Sequence, residues 1–386
     1  MTEPIRWIWN SPAWPKLSYD HDLLVEPLSR ARDTAGRLRG KAEAIGPTEL
    51  AQAEVEAWAG NAVATSAIEG EMLDLAAVRS SVASRLGATP TLSIPTPRHV
   101  EGLLDVMNDA AANWHSELSE ERLVRWQAAL FPEGRSGLFK VETGSFRTRG
   151  DPMQIVSGPV GKEIVHYVAP PAAAVRAEMR SYLEWFNSTR ESATTDGILR
   201  AGLAHLWFES IHPFADGNGR VGRAIIDMAI SQDMRLASRL HGISMELRRR
   251  QTDYYAALNQ AQRGTGDATE WLVWFTDTYC ESCRTSIALI DAALVRAQFW
   301  NQHRNVDLNA RQRKALNRML AAGPGKFEGG MTPRKYIALT KAKYITANRD
   351  LVDLVAKHLL VREGAGRSTY YNLTVPGWGW VRSPRN

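Results

Sequence analysis

Apolar residues recur at helical spacing along most of this chain. The periods run over 23–44, from Pro47 to about residue 68, and over 73–86, 98–114, 119–130, 172–189, 198–211, 224–234, 246–260 and 270–300. Thr48 is the expected N-cap of the second helix. Residues 87–97 hold three prolines and predict a loop. Two pairs of short runs predict strands instead. Residues 153–156 and 164–168 flank Ser157-Gly158-Pro159-Val160-Gly161-Lys162, and residues 359–362 and 368–373 flank Gly364-Ala365-Gly366-Arg367. The pattern is that of a mainly α protein with two small hairpins.

Between the runs 198–211 and 224–234 lies His212-Pro213-Phe214-Ala215-Asp216-Gly217-Asn218-Gly219-Arg220-Val221-Gly222-Arg223. A loop that feeds a helix N-terminus presents unpaired N–H groups and the positive dipole end to an anion. Gly217 and Gly219 let consecutive N–H groups wrap a phosphate. Arg220 and Arg223 add forked donors, and Asp216 suits Mg²⁺ shared with substrate phosphates. His212 stands ready to take a proton from a hydroxyl. These residues point to nucleotidyl or phosphoryl transfer.

At this stretch the chain resembles the Fic family, whose signature is H-x-F-x-[DE]-G-N-G-R-x-x-R; all eight specified positions of the twelve are filled. Thr65-Ser66-Ala67-Ile68-Glu69-Gly70 matches the [ST]-x-x-x-E-[GN] pattern of that family's autoinhibitory helix. The resemblance implies a Fic-type helical core in which 153–168 form a flap, a strand edge for a target peptide. Gly144-Ser145-Phe146-Arg147 then corresponds to an aromatic-Arg pair leading to the site. One of Tyr254 and Tyr255 is expected to stack on adenine, though tyrosines at this spacing are as often core. Trp7, Trp9 and Trp14 are read as an arm buried on the main domain, and His205 as a core residue. The expected division is 1–46 arm and first helix, 47–118 inhibitory-helix region, 119–300 catalytic core and 301–386 appended domain.

Charge sets the last segment apart. From Asp307 onward there are 15 Lys+Arg against 5 Asp+Glu, a net of +10, while the whole chain carries +5. A basic helix over 309–322, a short helix over 332–339, a helix over 347–355 capped by Thr346, then a hairpin give the order of a winged helix-turn-helix domain. Its basicity admits DNA through phosphate contacts, and docking to protein stands beside it. Hydrophobic and charged fractions of 44% and 23% are ordinary for a soluble protein, and no run of eighteen apolar residues spans a membrane. The start lacks a secretory pattern. Cys280 and Cys283 fall inside a helical run and are incidental there, which with the absence of a disulfide framework fits a cytoplasmic protein.

What the resemblance implies is a protein adenylyltransferase that moves AMP from ATP, with Mg²⁺, to a Ser, Thr or Tyr hydroxyl of a protein substrate, self-modification included. His212 is then the base, Asp216 the metal ligand, and Gly217, Asn218, Gly219, Arg220 and Arg223 the phosphate contacts. Glu69 inhibits in cis through a bidentate pair with Arg223. Removal of AMP, another phosphate transfer on the same fold, and a nucleotide-sensing DNA-binding regulator remain as alternatives, and a homodimer is compatible with all of them.

Overall fold

The structure is a computed structural model and describes residues 7–88, 94–136, 139–149, 152–157, 162–191, 195–235 and 239–381. Its contacts divide the chain into two units, residues 1–289 and 290–386. The sequence placed that boundary at 300/301; the division falls earlier, inside a helix.

In the first unit, a short 3₁₀ turn (Ile8–Asn10) precedes α1 (His21–Ala44), α2 (Pro47–Ile68), α3 (Leu75–Arg85), α4 (Arg98–Ala112) and α5 (Glu120–Leu130). Asp20, Asp74 and Ser119 cap α1, α3 and α5 by accepting first-turn N–H groups. For α2 the N-cap is Gly46 and Pro47 is the first helical residue, so Thr48 lies inside the first turn. Proline takes that place because its missing N–H would have no acceptor there anyway. Two antiparallel pairs follow, β1 (Arg135–Ser136) with β2 (Phe139–Lys140) and β3 (Gln154–Ser157) with β4 (Ile164–Val168). The expected hairpin tip at 158–161 lies outside the described residues.

Next come α6 (Ala172–Ser188), α7 (Gly197–Ile211) and α8 (Asn218–Met234). Every residue of α7 from Ile198 to Ile211 is buried, so it is a central helix without a solvent face. The two ends of this α7–α8 pair are tied to α1 by Arg32, which donates to Asp196 at 2.8 Å and Asp233 at 2.5 Å. The sequence period began the second of these helices at residue 224; it begins at Asn218, because the glycine-rich stretch is helical as well. The run 246–260 is likewise two helices, α9 (Ile243–Arg249) and α10 (Gln251–Gln262), broken at Arg250. The N-terminal arm buries Trp7 and packs Trp9 and Trp14 half-buried beside it. Trp7 meets Tyr167 edge-on at 5.3 Å, Trp9 donates to the Val168 carbonyl at 2.7 Å, and Trp14 donates to Glu178 at 2.8 Å.

α11 (Thr269–Gln302) contains the division between units. Cys280 and Cys283 are free and buried on it, and burial pushes the Cys283 thiol up to about 12, an inert setting. In the second unit α12 (Ala310–Ala322), α13 (Pro333–Thr340) and α14 (Tyr344–Ala356) precede the antiparallel pair β5 (Leu360–Glu363) and β6 (Tyr370–Leu373). Leu316, Leu320, Tyr336, Leu351, Leu354 and Leu359 form its core. Lys343, not Thr346, is the N-cap of α14, since the helix opens one turn earlier than its apolar period shows. No helix among the described residues is long and apolar enough to cross a membrane.

Candidate active site

The site is built on the loop between α7 and α8, and that loop holds its own shape. His212 ends α7 with φ 50°, which swings its ring back over the last turn. Phe214 is fully buried against Phe146 at 5.4 Å. The Asn218 side chain bonds both ways to the Phe214 backbone, accepting its N–H and donating to its carbonyl at 2.8 Å each. Asn218 therefore closes the loop with its amide oxygen and one of the two N–H groups of its amide. Gly217 sits at φ 90°, where a side chain would also lie 2.9 Å from the Phe131 ring. Its N–H is taken by Asp216 Oδ1 at 2.6 Å. The N–H groups of Asn218, Gly219 and Arg220 open α8 and have no acceptor within the helix, which leaves them for an anion.

Around this turn stand the charged side chains. Arg220 is mostly buried, with its guanidinium 4.8 Å from the Phe131 ring centroid and 3.8 Å from Glu71. Arg147, expected from its place after Phe146, clamps the end of α7. Its Nε donates to the His212 carbonyl at 2.8 Å and its backbone N–H to Pro213 at 2.8 Å. The His212 ring hydrogen-bonds to the Glu209 backbone carbonyl, and burial, with Arg147 adding, lowers its pKa to about 4. It is thus neutral at pH 7 and has a second ring nitrogen to accept a proton. The Asp216 carboxylate keeps Oδ2 outside the Gly217 bond. Among the described residues no three His, Cys, Asp or Glu cluster as a metal cage. This donor set fits Mg²⁺, which is held by one or two carboxylates with substrate phosphates completing its shell.

The C-terminus of α2 reaches the same turn. It closes as a glycine-ended helix: Gly70 has φ 82°, and the N–H groups of Gly70 and Glu71 bond to Ala67 and Ser66 at 3.2 and 3.0 Å. This sets Glu69 and Thr65 against buried Arg223. Arg223 Nη2 donates to Glu69 Oε1 at 2.7 Å and to the Thr65 carbonyl at 3.1 Å, while Nε donates to Thr65 Oγ1 at 2.6 Å. The pair expected from the sequence is present, but it is a single bond shared with Thr65, not a bidentate fork. Burial alone would raise the Glu69 carboxyl; the charge and hydrogen bond of Arg223, with Arg220 and His212 adding, hold it below the ordinary range. A side chain at Gly219 would collide with Glu69 Oε1, so the carboxylate lies directly over the first turn of α8. Arg223 stands in the second turn, because α8 begins earlier than expected.

The two tyrosines separate cleanly. Tyr254 is 2% exposed, its hydroxyl 2.8 Å from His205 Nε2 and its ring stacked on Trp274, which makes it core. Tyr255 is 41% exposed and donates to the Ile68 carbonyl at 3.4 Å, beside Gln251 at 3.2 Å. His205 is buried, as read from the sequence, and burial lowers its pKa to about 3. Three contributors escaped the sequence reading. Gln127 donates to the Asp216 and Glu142 carbonyls at 3.3 and 3.2 Å, Glu71 reaches Arg220, and Glu209 lies one turn before His212. Only Glu209 left a signal, its i, i+3 spacing to His212. An open cavity of about 880 Å³, lined by Glu69, Glu71, His99, Phe131 and Arg220 among others, leads to the turn.

Compared with known proteins, residues 117–230 match the Fic/DOC family and residues 7–88 match a domain of unknown function, DUF4172. A probable protein adenylyltransferase of Aquifex aeolicus is 32% identical over 95 residues, 25% of this chain and 26% of its own length. The protein adenylyltransferase fic-1 of Caenorhabditis elegans is 27% identical over 207 residues, 52% of this chain and 36% of its own. The chain thus spans between about a quarter and a third of the length of these two relatives. A Fic family protein from Desulfovibrio desulfuricans shares the fold with a TM-score of 0.53 at 21% identity, over 93% of this chain and 98% of that one. Together these findings support a Fic family protein.

Proposed function

We propose that this chain is a protein adenylyltransferase, moving AMP from ATP to a Ser, Thr or Tyr hydroxyl of a protein, and that Glu69 holds it off in the state described here. One observation carries the reading. The Glu69 carboxylate binds Arg223 over the anion-binding first turn of α8, close enough to His212 for their charges to interact. A terminal phosphate of ATP on Arg223 would meet that negative charge, so nucleotide could sit only in a pose unsuited to attack.

With Glu69 withdrawn, the first-turn N–H groups and Arg220 bind the phosphates, and Arg223 takes the terminal one. Mg²⁺ at Asp216, when bound, would neutralise phosphate charge. His212 removes the proton of the acceptor hydroxyl; the oxygen bonds to the α-phosphorus as the bond to the diphosphate breaks. Tyr255 has the exposed ring for the base. The exposed edge of β3–β4 offers main-chain hydrogen bonds to a target segment. Incubating Glu69→Gly protein with ATP labelled at the α- or γ-phosphate tests this. Label from the α-phosphate on protein supports the reading; label only from the γ-phosphate makes the enzyme a kinase, and release of AMP from a modified protein makes it the reverse enzyme.

A second reading concerns the basic unit alone. Asp350 and Asp353 of α14 turn toward α12, where Arg311 holds Asp350 at 2.8 Å and Gln312 holds Asp353 at 2.6 Å. The turn before α14 and the rest of the helix expose Lys341, Lys343, Tyr344, Ile345, Arg349 and Val352. A second helix after a short turn, cationic outward, fits the major groove of duplex DNA. Salt-dependent binding of the full chain to duplex DNA, weakened by Arg349→Ala, supports it; no binding at low salt overturns it.

A further inference from the structure

We propose that Glu209 is a positioning residue for His212, fixing the imidazole and supplying the counter-charge it needs once it has taken a proton. The inference rests on the adenylyl-transfer reading for the role of His212, but its own observations are separate.

Glu209 lies three residues before His212 on α7. The left-handed turn at His212 folds the ring back, so Nδ1 stands 3.7 Å from Glu209 Oε2 while the ring bonds to the Glu209 carbonyl. The residue therefore meets the imidazole with both its backbone and its side chain. The carboxyl is 7% exposed, and Oε1 has no hydrogen-bond partner among the described residues. α8 makes room for it: a side chain at Gly222 would lie 2.5 Å from Oε1. A buried carboxyl without a partner is unfavourable unless another state of the site uses it.

The reaction supplies such a state. Imidazolium at position 212 faces Arg147 in a poorly solvated place, and both factors oppose its charge. Glu209 is the carboxyl nearest the ring. The charged and titratable groups facing Glu209 are Arg223 from α8, Glu69 from α2, Tyr254 and Tyr255 from α10, Tyr182 from α6, and His205 and His212 on its own helix. Burial pushes Glu209 up to about 8; Arg223 opposes this and Glu69 adds to it. With Glu69 in place the carboxyl is held neutral at pH 7. Withdrawal of Glu69 removes the lesser of the two causes and leaves burial opposed by Arg223, so the carboxyl moves toward its charged form. The movement that frees the phosphate site thus shifts Glu209 in the direction the imidazolium needs.

The test uses the full chain carrying Glu69→Gly, with Glu209→Gln and Glu209→Asp added singly and folding checked by circular dichroism. Two readouts are taken: the titration of His212 by NMR without nucleotide, assigned by its loss in His212→Ala, and the kinetics of α-labelling. Glu209→Gln is expected to lower the His212 pKa and to cut kcat about tenfold, with KM for ATP within about twofold. Glu209→Asp should restore part of both. An unchanged His212 titration in Glu209→Gln, or a loss carried by KM alone, overturns the proposal. Absence of labelling in the Glu69→Gly parent would instead sink the adenylyl-transfer reading, and the titration would still decide the part played by Glu209.

Discussion

Two helix ends meet at this site and are built on opposite terms. The N-terminus of α8 is shaped by its own loop: Asn218 closes onto Phe214 and Asp216 takes the Gly217 N–H, all within five residues, while Gln127 and Arg147, neither of them on α2, brace its Asp216 and Pro213 carbonyls. The C-terminus of α2 is held from elsewhere. Arg223 grips Thr65 and Glu69, Gln251 and Tyr255 of α10 hold the Ile68 carbonyl, and His99 of α4 holds Glu71 at 2.7 Å. A turn made by its own loop survives whatever α2 does. An end made by long-range side-chain contacts can leave without unmaking the turn it covers. That asymmetry is what a removable inhibitor requires.

The largest expected effect breaks the self-held end without moving it. In a Glu69→Gly chain, His212→Ala should lower α-labelling by ~10²–10⁴-fold, the usual worth of a positioned base, with the melting transition kept. Retained labelling would remove His212 from the mechanism. The borrowed end should respond in the opposite sense. Glu69→Gly alone should raise labelling at least about tenfold over wild type, as loss of one partly exposed charge-assisted contact predicts. Arg223→Ala frees Glu69 but also discards a phosphate contact, so it should not reproduce the gain; equal activity of wild type and Glu69→Gly would show that α2 is no inhibitor.

The same asymmetry decides what could be read from the sequence. A self-held turn is local, so twelve residues displayed its glycines, arginines, carboxylate and histidine together. The hexamer 65–70 could be matched to a pattern, but its partner lies 154 residues away and the sharing of Arg223 between Thr65 and Glu69 is tertiary. Helix ends were misplaced where apolar periodicity falls silent. Asn218 and Gly219 are polar or featureless, so α8 seemed to start late; the first turn of α14 was missed for another reason, since its Tyr344 and Ile345 are exposed and stand off the buried period. Asn218 reads only as a ligand in sequence because nothing local shows that its amide also ties the loop to Phe214. The ambiguity of Tyr254 and Tyr255 had the same source: adjacent helix positions point to different faces, and only packing chose which was buried.

A stability measurement sharpens the comparison further. Asn218→Ala leaves the Phe214 N–H and carbonyl unpaired in a buried loop, which costs about 1–3 kcal/mol. Because α8's end is held by its own loop, the loss should be the same with Glu69 present or replaced, additive within about 0.5 kcal/mol. Urea unfolding of the single and double variants measures this. A loss that vanishes in the Glu69→Gly chain would mean that α2 holds the turn after all.

The smallest effect concerns pH, which should act on the two ends from opposite sides. Glu69 has a folded pKa below its unfolded one, so its contribution is complete above the unfolded value and disappears as pH falls through the folded one. Asp227 on α8 is the reverse case. Burial raises it to about 8, with Arg223 opposing, so the folded chain keeps a proton that the unfolded chain has released from about pH 4 upward. The folded state then binds more protons than the unfolded one between those values, and stability falls as pH rises across that window. Glu209, also raised to about 8, adds a slope of the same sign. Asp227→Asn removes one of these two groups while keeping the side chain's size. It should flatten the decline in urea-unfolding stability between pH 6 and pH 8 by about 2 kcal/mol. An unchanged slope would mean that Asp227 is ionised in the folded chain and shares the charge of Arg223 with Glu69, and the grip of Arg223 on α2 would be correspondingly weaker.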